Sequence, residues 1–188
     1  MNHLRVVALC GSLRKASINA SLLRAFARLA PFTVDICPSL GLLPLFNPDL
    51  EAEPPEAVRA FHRLVASADA LLIASPEYAH GMTGTLKNAL DWLVGLEAFT
   101  GRPVAVLNAS PRAYHADDAL REVLRTMSAV LVGETSFALQ LLGAKLDEDA
   151  MARSPEVATA VHAVTEALMA QLSRPPDVTK PGAISSTP

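Results

Sequence analysis

Short apolar runs alternate with amphipathic stretches from one end of this chain to the other, and that alternation limits the fold more than any other feature. The runs fall at residues 4–10, 33–37, 70–75 and 103–109, with a less sharply bounded one inside 131–139. Each is apolar throughout rather than alternating with polar residues, as expected of strands buried on both faces. Between them, Ile18, Leu22, Phe26 and Leu29 recur at helical spacing, as do Val58, Phe61, Leu64, Val65 and Ala68. Three further stripes follow: Leu86, Ala89, Leu90, Leu93 and Val94; then Leu120, Val123, Leu124 and Met127; then Val157, Val161, Val164 and Leu168. A strand–helix–strand rhythm with right-handed crossovers places helices on both faces of a parallel sheet. The spacing therefore predicts an α/β protein, a three-layer α/β/α sandwich around a five-stranded parallel sheet.

One folded domain over residues 1–173 accounts for the chain of 188 residues, since that length buries a sufficient core without staples. Residues 174–188, dominated by Pro, Ser, Thr and Gly, are expected to form a flexible tail. The proline-bearing stretch 38–55 has no clear period, yet Leu42, Leu43, Leu45 and Phe46 argue for an ordered loop. Hydrophobic residues make up 51% of the chain and charged ones 19%, which suits a covered parallel sheet, and no run is long enough to cross a bilayer. A net charge of −3 gives no general attraction to nucleic acid or to anionic membranes. With no secretory signal at the start, the expected location is cytoplasmic. Two cysteines, Cys10 and Cys37, form neither a bridging framework nor a metal-ligand pattern, and both are expected as buried thiols.

Directly after the first apolar run comes Cys10-Gly11-Ser12-Leu13-Arg14-Lys15-Ala16-Ser17-Ile18-Asn19, leading into the first helical stripe. A strand–loop–helix junction offers free backbone N–H groups and a positive dipole end, which together attract phosphate. Ser12, Ser17 and Asn19 add short polar side chains, and Arg14 adds a planar cation able to grip two phosphate oxygens. Each of these residues alone would signify no more than a helix cap or a solvated charge. Their combination at this junction favours phosphate.

The third run ends in Ser75-Pro76-Glu77-Tyr78-Ala79-His80-Gly81-Met82-Thr83-Gly84. In a sheet of order 2-1-3-4-5 this loop lies beside the first one, at the switch point where ligands bind. Pro76 fixes the exit from the strand, and Gly81 and Gly84 are expected to permit close approach of a flat ligand. His80 taken alone is more simply a solvated side chain than a catalytic one.

In these loops the chain resembles the NADPH-dependent FMN reductases of flavodoxin-like fold, a family that includes quinone, azo-dye and chromate reductases. Gly-Ser-Leu-Arg at 11–14 with Ser17 and Asn19 is similar to that family's phosphate loop. Ser-Pro-Glu-Tyr at 75–78, followed by Leu-Lys-Asn-Ala-Leu-Asp-Trp at 86–92, resembles its ring-binding loop and the next helix. Leu43-Pro44-Leu45-Phe46-Asn47, with Asp49 and Leu50, is similar to the loop after its second strand. The resemblance implies that Ser12, Arg14, Ser17 and Asn19 hold the phosphate of FMN. It implies that Pro76, Glu77, Tyr78, Ala79, His80 and Gly81 lie against the flavin ring, with Ser110 opening a third contact. Two departures stand out: Ala79 replaces a common asparagine, and 110–115 reads Ser-Pro-Arg-Ala-Tyr-His where glycines are usual. Arg112 is open between a contact at the flavin edge and a surface charge.

The implied activity is NAD(P)H-dependent reduction, with FMN passing electrons by a ping-pong hydride mechanism to flavin, quinone or a similar small-molecule acceptor. NADPH or NADH is the donor, and no catalytic side chain or metal is required. The resemblance also suggests a homodimer or homotetramer, with the helix bearing Leu86, Leu90, Trp92 and Leu93 as a candidate interface. The alternatives are a flavodoxin-like electron carrier, against which the small net charge weighs, and a non-redox interaction protein.

Overall fold

The computed structural model describes residues 4–133, 137–141 and 147–174. Strand β1 (Arg5–Cys10) lies at the centre of the sheet, with β2 (Thr33–Ile36) on one side and β3 (Ala70–Ala74) on the other. Next come β6 (Pro103–Asn108) and β7 (Val130–Leu131), giving the order β2-β1-β3-β6-β7, every pair parallel. Strand β8 (Phe137–Ala138) also pairs with β6, at its carboxyl end, while β7 pairs at its amino end. The fifth strand expected within 131–139 is therefore divided into two short segments that share one edge of β6. This is the flavodoxin-like arrangement, with the last position in the sheet interrupted.

Alternate residues of each strand feed opposite layers. Val6 and Ala8 pack with Leu22, Phe26, Val157, Val161, Val164 and Leu168, so α1 (Ile18–Leu29) and α6 (Pro155–Leu172) cover one face. Val7, Leu9, Leu71 and Ile73 pack with Phe61, Val65, Leu86, Leu90 and Leu124 on the other. That second layer consists of α2 (Glu56–Ala66), α3 (Gly84–Asp91) and α4 (Tyr114–Thr126). Each fully buried aliphatic or phenyl side chain contributes about 1.5–3 kcal/mol, and both faces are continuous with such residues. Two expected core positions lie outside: Leu29 is partly exposed where α1 ends, and Val94 is 66% exposed just past α3. A short helix without a helical stripe in the sequence, α5 (Glu148–Ala152), packs on α1 through Met151 and is anchored by Arg24–Glu148 and Arg28–Asp149 ion pairs.

The proline-bearing segment 38–55 contains two single turns, Leu40–Leu42 and Pro48–Leu50. Its middle docks on α3 through directed bonds. Asn88 Nδ2 and Trp92 Nε1 both donate to the Pro44 carbonyl, at 3.0 and 2.8 Å, and Asn88 Oδ1 accepts the Phe46 N–H at 2.8 Å. Phe46 meets Trp92 edge to face with ring centroids 5.0 Å apart. Trp92 is thereby buried inside the chain, as are Leu86, Leu90 and Leu93. These four residues thus pack within their own subunit. Of the expected tail, only Arg174 lies within the described residues.

Candidate functional site

The carboxyl ends of β1, β3 and β6 stand side by side, with Cys10 opposite Ala74 and Ala74 opposite Leu107. The loops leaving these three ends enclose a cavity of about 340 Å³. From the first loop, Ser12, Arg14, Ser17 and Asn19 line it. Pro76, Glu77 and Tyr78 come from the second and Ser110 from the third. Loops separated by up to about a hundred positions in the chain meet because a parallel sheet delivers every carboxyl end to one edge.

Two of these loops are joined by one side chain and one glycine. Thr83 Oγ1 donates to the Gly11 carbonyl at 2.7 Å and accepts the Leu86 N–H at 3.2 Å, capping α3 while tying the second loop to the first. Gly11 is where close approach is required. A Cβ there would stand 2.3 Å from Ser75 Oγ and 2.7 Å from Ser75 Cβ. Gly81 has Tyr78 O at 3.8 Å as its nearest neighbour and Gly84 has none within 4 Å, so protein atoms leave space beside both.

The first loop enters α1 through Ser17, whose hydroxyl accepts the Ala20 N–H at 3.2 Å. The first N–H groups of a helix have no partner within it, and Ile18 and Asn19, which open α1, line the cavity together with Ser17. Asn19 is buried, and its Oδ1 has no hydrogen-bond partner. Arg14 is exposed and no carboxylate pairs with it among the described residues.

The second loop forms a small hairpin, β4 (Glu77–Tyr78) and β5 (Gly81–Met82), with Tyr78 paired to Gly81. Its two-residue turn places Ala79 at φ 49° and His80 at φ 59°. Positive φ at both positions is the requirement of a primed hairpin turn, and asparagine or glycine meets it at least cost. Ala79, His80 and Gly81 lie on this tip, outside the cavity wall that Pro76, Glu77 and Tyr78 line. His80 stacks on His115 at 4.3 Å, and His115 in turn lies 4.0 Å from Tyr114, so the tip leans on the start of α4. Glu77 Oε2 accepts the Ala116 N–H at 2.9 Å, placing its charge on the amino end of α4.

The third loop is organised by a residue the sequence reading passed over. Asn108 is buried at the end of β6; its Oδ1 accepts the Ser110 N–H at 2.9 Å and its Nδ2 donates to the Ala113 carbonyl at 3.2 Å. A polar amide at the end of an otherwise apolar strand was the available signal. Both thiols sit away from reactive conditions: burial pushes Cys10 up, and Cys37 up to about 12. Among the described residues no cluster of His, Cys, Asp and Glu could hold a metal.

Residues 4–141 match the NADPH-dependent FMN reductase family. The chain belongs to that family. A 2-hydroxy-1,4-benzoquinone reductase of Burkholderia is 40% identical over 139 residues, covering 70% of this chain and 75% of the relative. The quinone reductase of Escherichia coli is 32% identical over 77% of this chain and 81% of its own length. Among solved structures, a flavoenzyme NAD(P)H:(acceptor) oxidoreductase from Paracoccus denitrificans is 27% identical with a TM-score of 0.74, covering 89% of this chain and 98% of that one. The chain is accordingly an NAD(P)H-dependent oxidoreductase whose cofactor is FMN.

The reductase's own residues fit that cofactor. An orphaned amide oxygen on Asn19 suits a ribityl hydroxyl, and the same amide turned over would offer its NH₂ to phosphate. Arg14 and the uncapped N–H groups of α1 supply the positive charge a phosphate monoester needs. A wall that is largely apolar beyond them suits a planar ring.

Proposed function

We propose that the reductase holds FMN in the cavity between its three loops and moves hydride from NADPH or NADH to small quinone-type acceptors in two half-reactions that share one site. FMN, when bound, supplies a ring that accepts and donates hydride. The chain's task is to bind and orient it. Arg14 and the amino end of α1, with Ser12, Ser17 and Asn19, hold the phosphate; Pro76, Glu77, Tyr78 and Ser110 hold the ring end. Ala79, His80 and Gly81 act from outside the cavity wall, by supporting the hairpin that carries Tyr78. Quinones as acceptors are supported by the relatives named above.

The observation that carries the reading is the pairing, in one cavity, of an unpartnered Arg14 with the orphaned Asn19 amide at the start of α1. Titration of the apoprotein with FMN tests it. Loss of one charge-assisted contact costs about 1.5–3 kcal/mol, so Arg14→Gln should weaken FMN binding roughly 10- to 100-fold. Unchanged affinity would refute the phosphate assignment. Failure of the flavin-loaded wild type to oxidise NADPH or NADH with 1,4-benzoquinone would refute the activity.

The protein is further proposed to be cytoplasmic and to assemble as a homodimer or homotetramer. No described helix is long and apolar enough to cross a membrane. Light scattering reads the assembly state directly.

A further inference from the structure

The cavity wall carries two guanidinium groups, and the phosphate uses only one of them. Arg112 lines the cavity from the third loop and, like Arg14, has no carboxylate paired with it among the described residues. The one acidic residue on the wall, Glu77, is committed to the Ala116 N–H. Among the described residues, no carboxylate therefore pairs with Arg112.

The backbone that carries this exposed side chain is held by several hydrogen bonds. Ser110 Oγ accepts the Arg112 N–H at 3.3 Å, and the Ser110 carbonyl accepts the Ala113 N–H at 2.9 Å. The buried Asn108 amide clamps both ends of the same segment. Because β3 lies between β1 and β6, the loops bearing Arg14 and Arg112 leave the sheet two strand spacings apart, about 10 Å. Arg112 is thus rooted two strands away from Arg14 on the same cavity wall.

An oxidised flavin ring is neutral and offers that cation hydrogen-bond acceptors but no charge. Reduction changes this. The C–H bond at the nicotinamide breaks, an N–H bond forms at flavin N5, and the electron pair travels with the hydrogen. The donor leaves as the oxidised, positively charged nicotinamide, and the ring gains one negative charge unless a second proton follows. We propose that Arg112 is the counter-charge to the reduced ring, favouring its anionic form and raising the two-electron potential of bound FMN. The proposal rests on the FMN reading above. The same negative charge could arrive instead on a dinucleotide phosphate or an ionised acceptor, and the measurements below separate these sources.

The test compares the FMN-loaded wild type with Arg112→Gln and Arg112→Lys. Two readouts need no turnover: the midpoint potential against a reference dye, and the affinity for sulfite. Sulfite forms an N–S bond at N5 and leaves the same negative charge on the ring, with neither dinucleotide nor acceptor present. For a partly solvated guanidinium the expected loss in Arg112→Gln is about tenfold in affinity for reduced over oxidised flavin, a potential lower by about 30 mV. Sulfite affinity should fall by a similar factor, while Arg112→Lys keeps most of both and oxidised FMN loses less affinity in Arg112→Gln than reduced FMN does. Shifts in Arg112→Gln below about 10 mV and twofold in sulfite affinity would overturn the proposal. It would also be overturned if the potential stayed fixed while KM rose for NADPH or for an ionised acceptor such as 2-hydroxy-1,4-naphthoquinone, relative to neutral 1,4-naphthoquinone. A wild type that takes up no FMN overturns the cofactor reading as well, whereas a flavin-loaded wild type with an unaltered Arg112→Gln variant overturns this inference alone.

Discussion

Replacing Thr83 by valine removes one oxygen and keeps the side chain's shape, so the loss isolates what that hydroxyl does. In the folded chain it donates to the buried Gly11 carbonyl at 2.7 Å and accepts the Leu86 N–H at 3.2 Å. Stranding a buried acceptor costs about 1–3 kcal/mol, and losing a helix cap about 1 more. The sum is roughly 2–4 kcal/mol, which in a domain of this size lowers Tm by about 5–15 °C. Calorimetry of the apoprotein is the appropriate assay, because bound flavin would mask part of the loss by mass action. Thr83→Ser keeps the oxygen and should lose far less. Since Gly11 opens the first loop, whose residues line the cavity, Thr83→Val should also weaken FMN binding. Equal Tm values for the serine and valine variants, or a fall of under about 2 °C for valine, would refute the assignment of Thr83 as the tie between the loops.

Two further outcomes follow from the same geometry. Asn at position 79 tolerates the left-handed backbone that Ala79 adopts at φ 49°, so Ala79→Asn should stabilise the protein by roughly 0.5–1 kcal/mol and raise Tm by about 1–4 °C; a lower Tm would contradict the turn assignment. Burial raises the Cys37 thiol from its ordinary 9.0 to about 12, so the folded state holds that proton more tightly than the unfolded state does. The resulting stability is complete below pH 9 and is lost as pH climbs towards 12, a decline that Cys37→Ala should lack when both proteins are unfolded in urea across that range.

Local pattern was sufficient where a residue's role depends on its near neighbours. Ser17 caps α1 and Ser154 caps α6 because each precedes a helical stripe, and the capping bond spans only three residues. The stripe Val157, Val161, Val164 and Leu168 is buried throughout, as its spacing requires. Resemblance in the loops led to Ser12, Arg14, Ser17, Asn19, Pro76, Glu77, Tyr78 and Ser110, and all of these line one cavity. One close approach had no local signal. The close contact is at Gly11, against a side chain 64 positions further along the chain, and no local rule announces it.

The sequence by itself determined the strand–helix rhythm and the two-faced burial of the strands, since each arises from side-chain chemistry read at periods of two or about four residues. Only the tertiary structure decided the rest. It split the last strand across the two ends of β6, turned Leu86, Leu90, Trp92 and Leu93 inward, and lifted Ala79, His80 and Gly81 off the cavity wall. It also joined Thr83 to Gly11 across 72 positions and set Asn108 to brace the loop that bears Arg112. The physical reason is common to all of these: they depend on which carboxyl ends lie side by side, and strand order in a parallel sheet is fixed by packing between layers, not by any neighbouring residue along the chain.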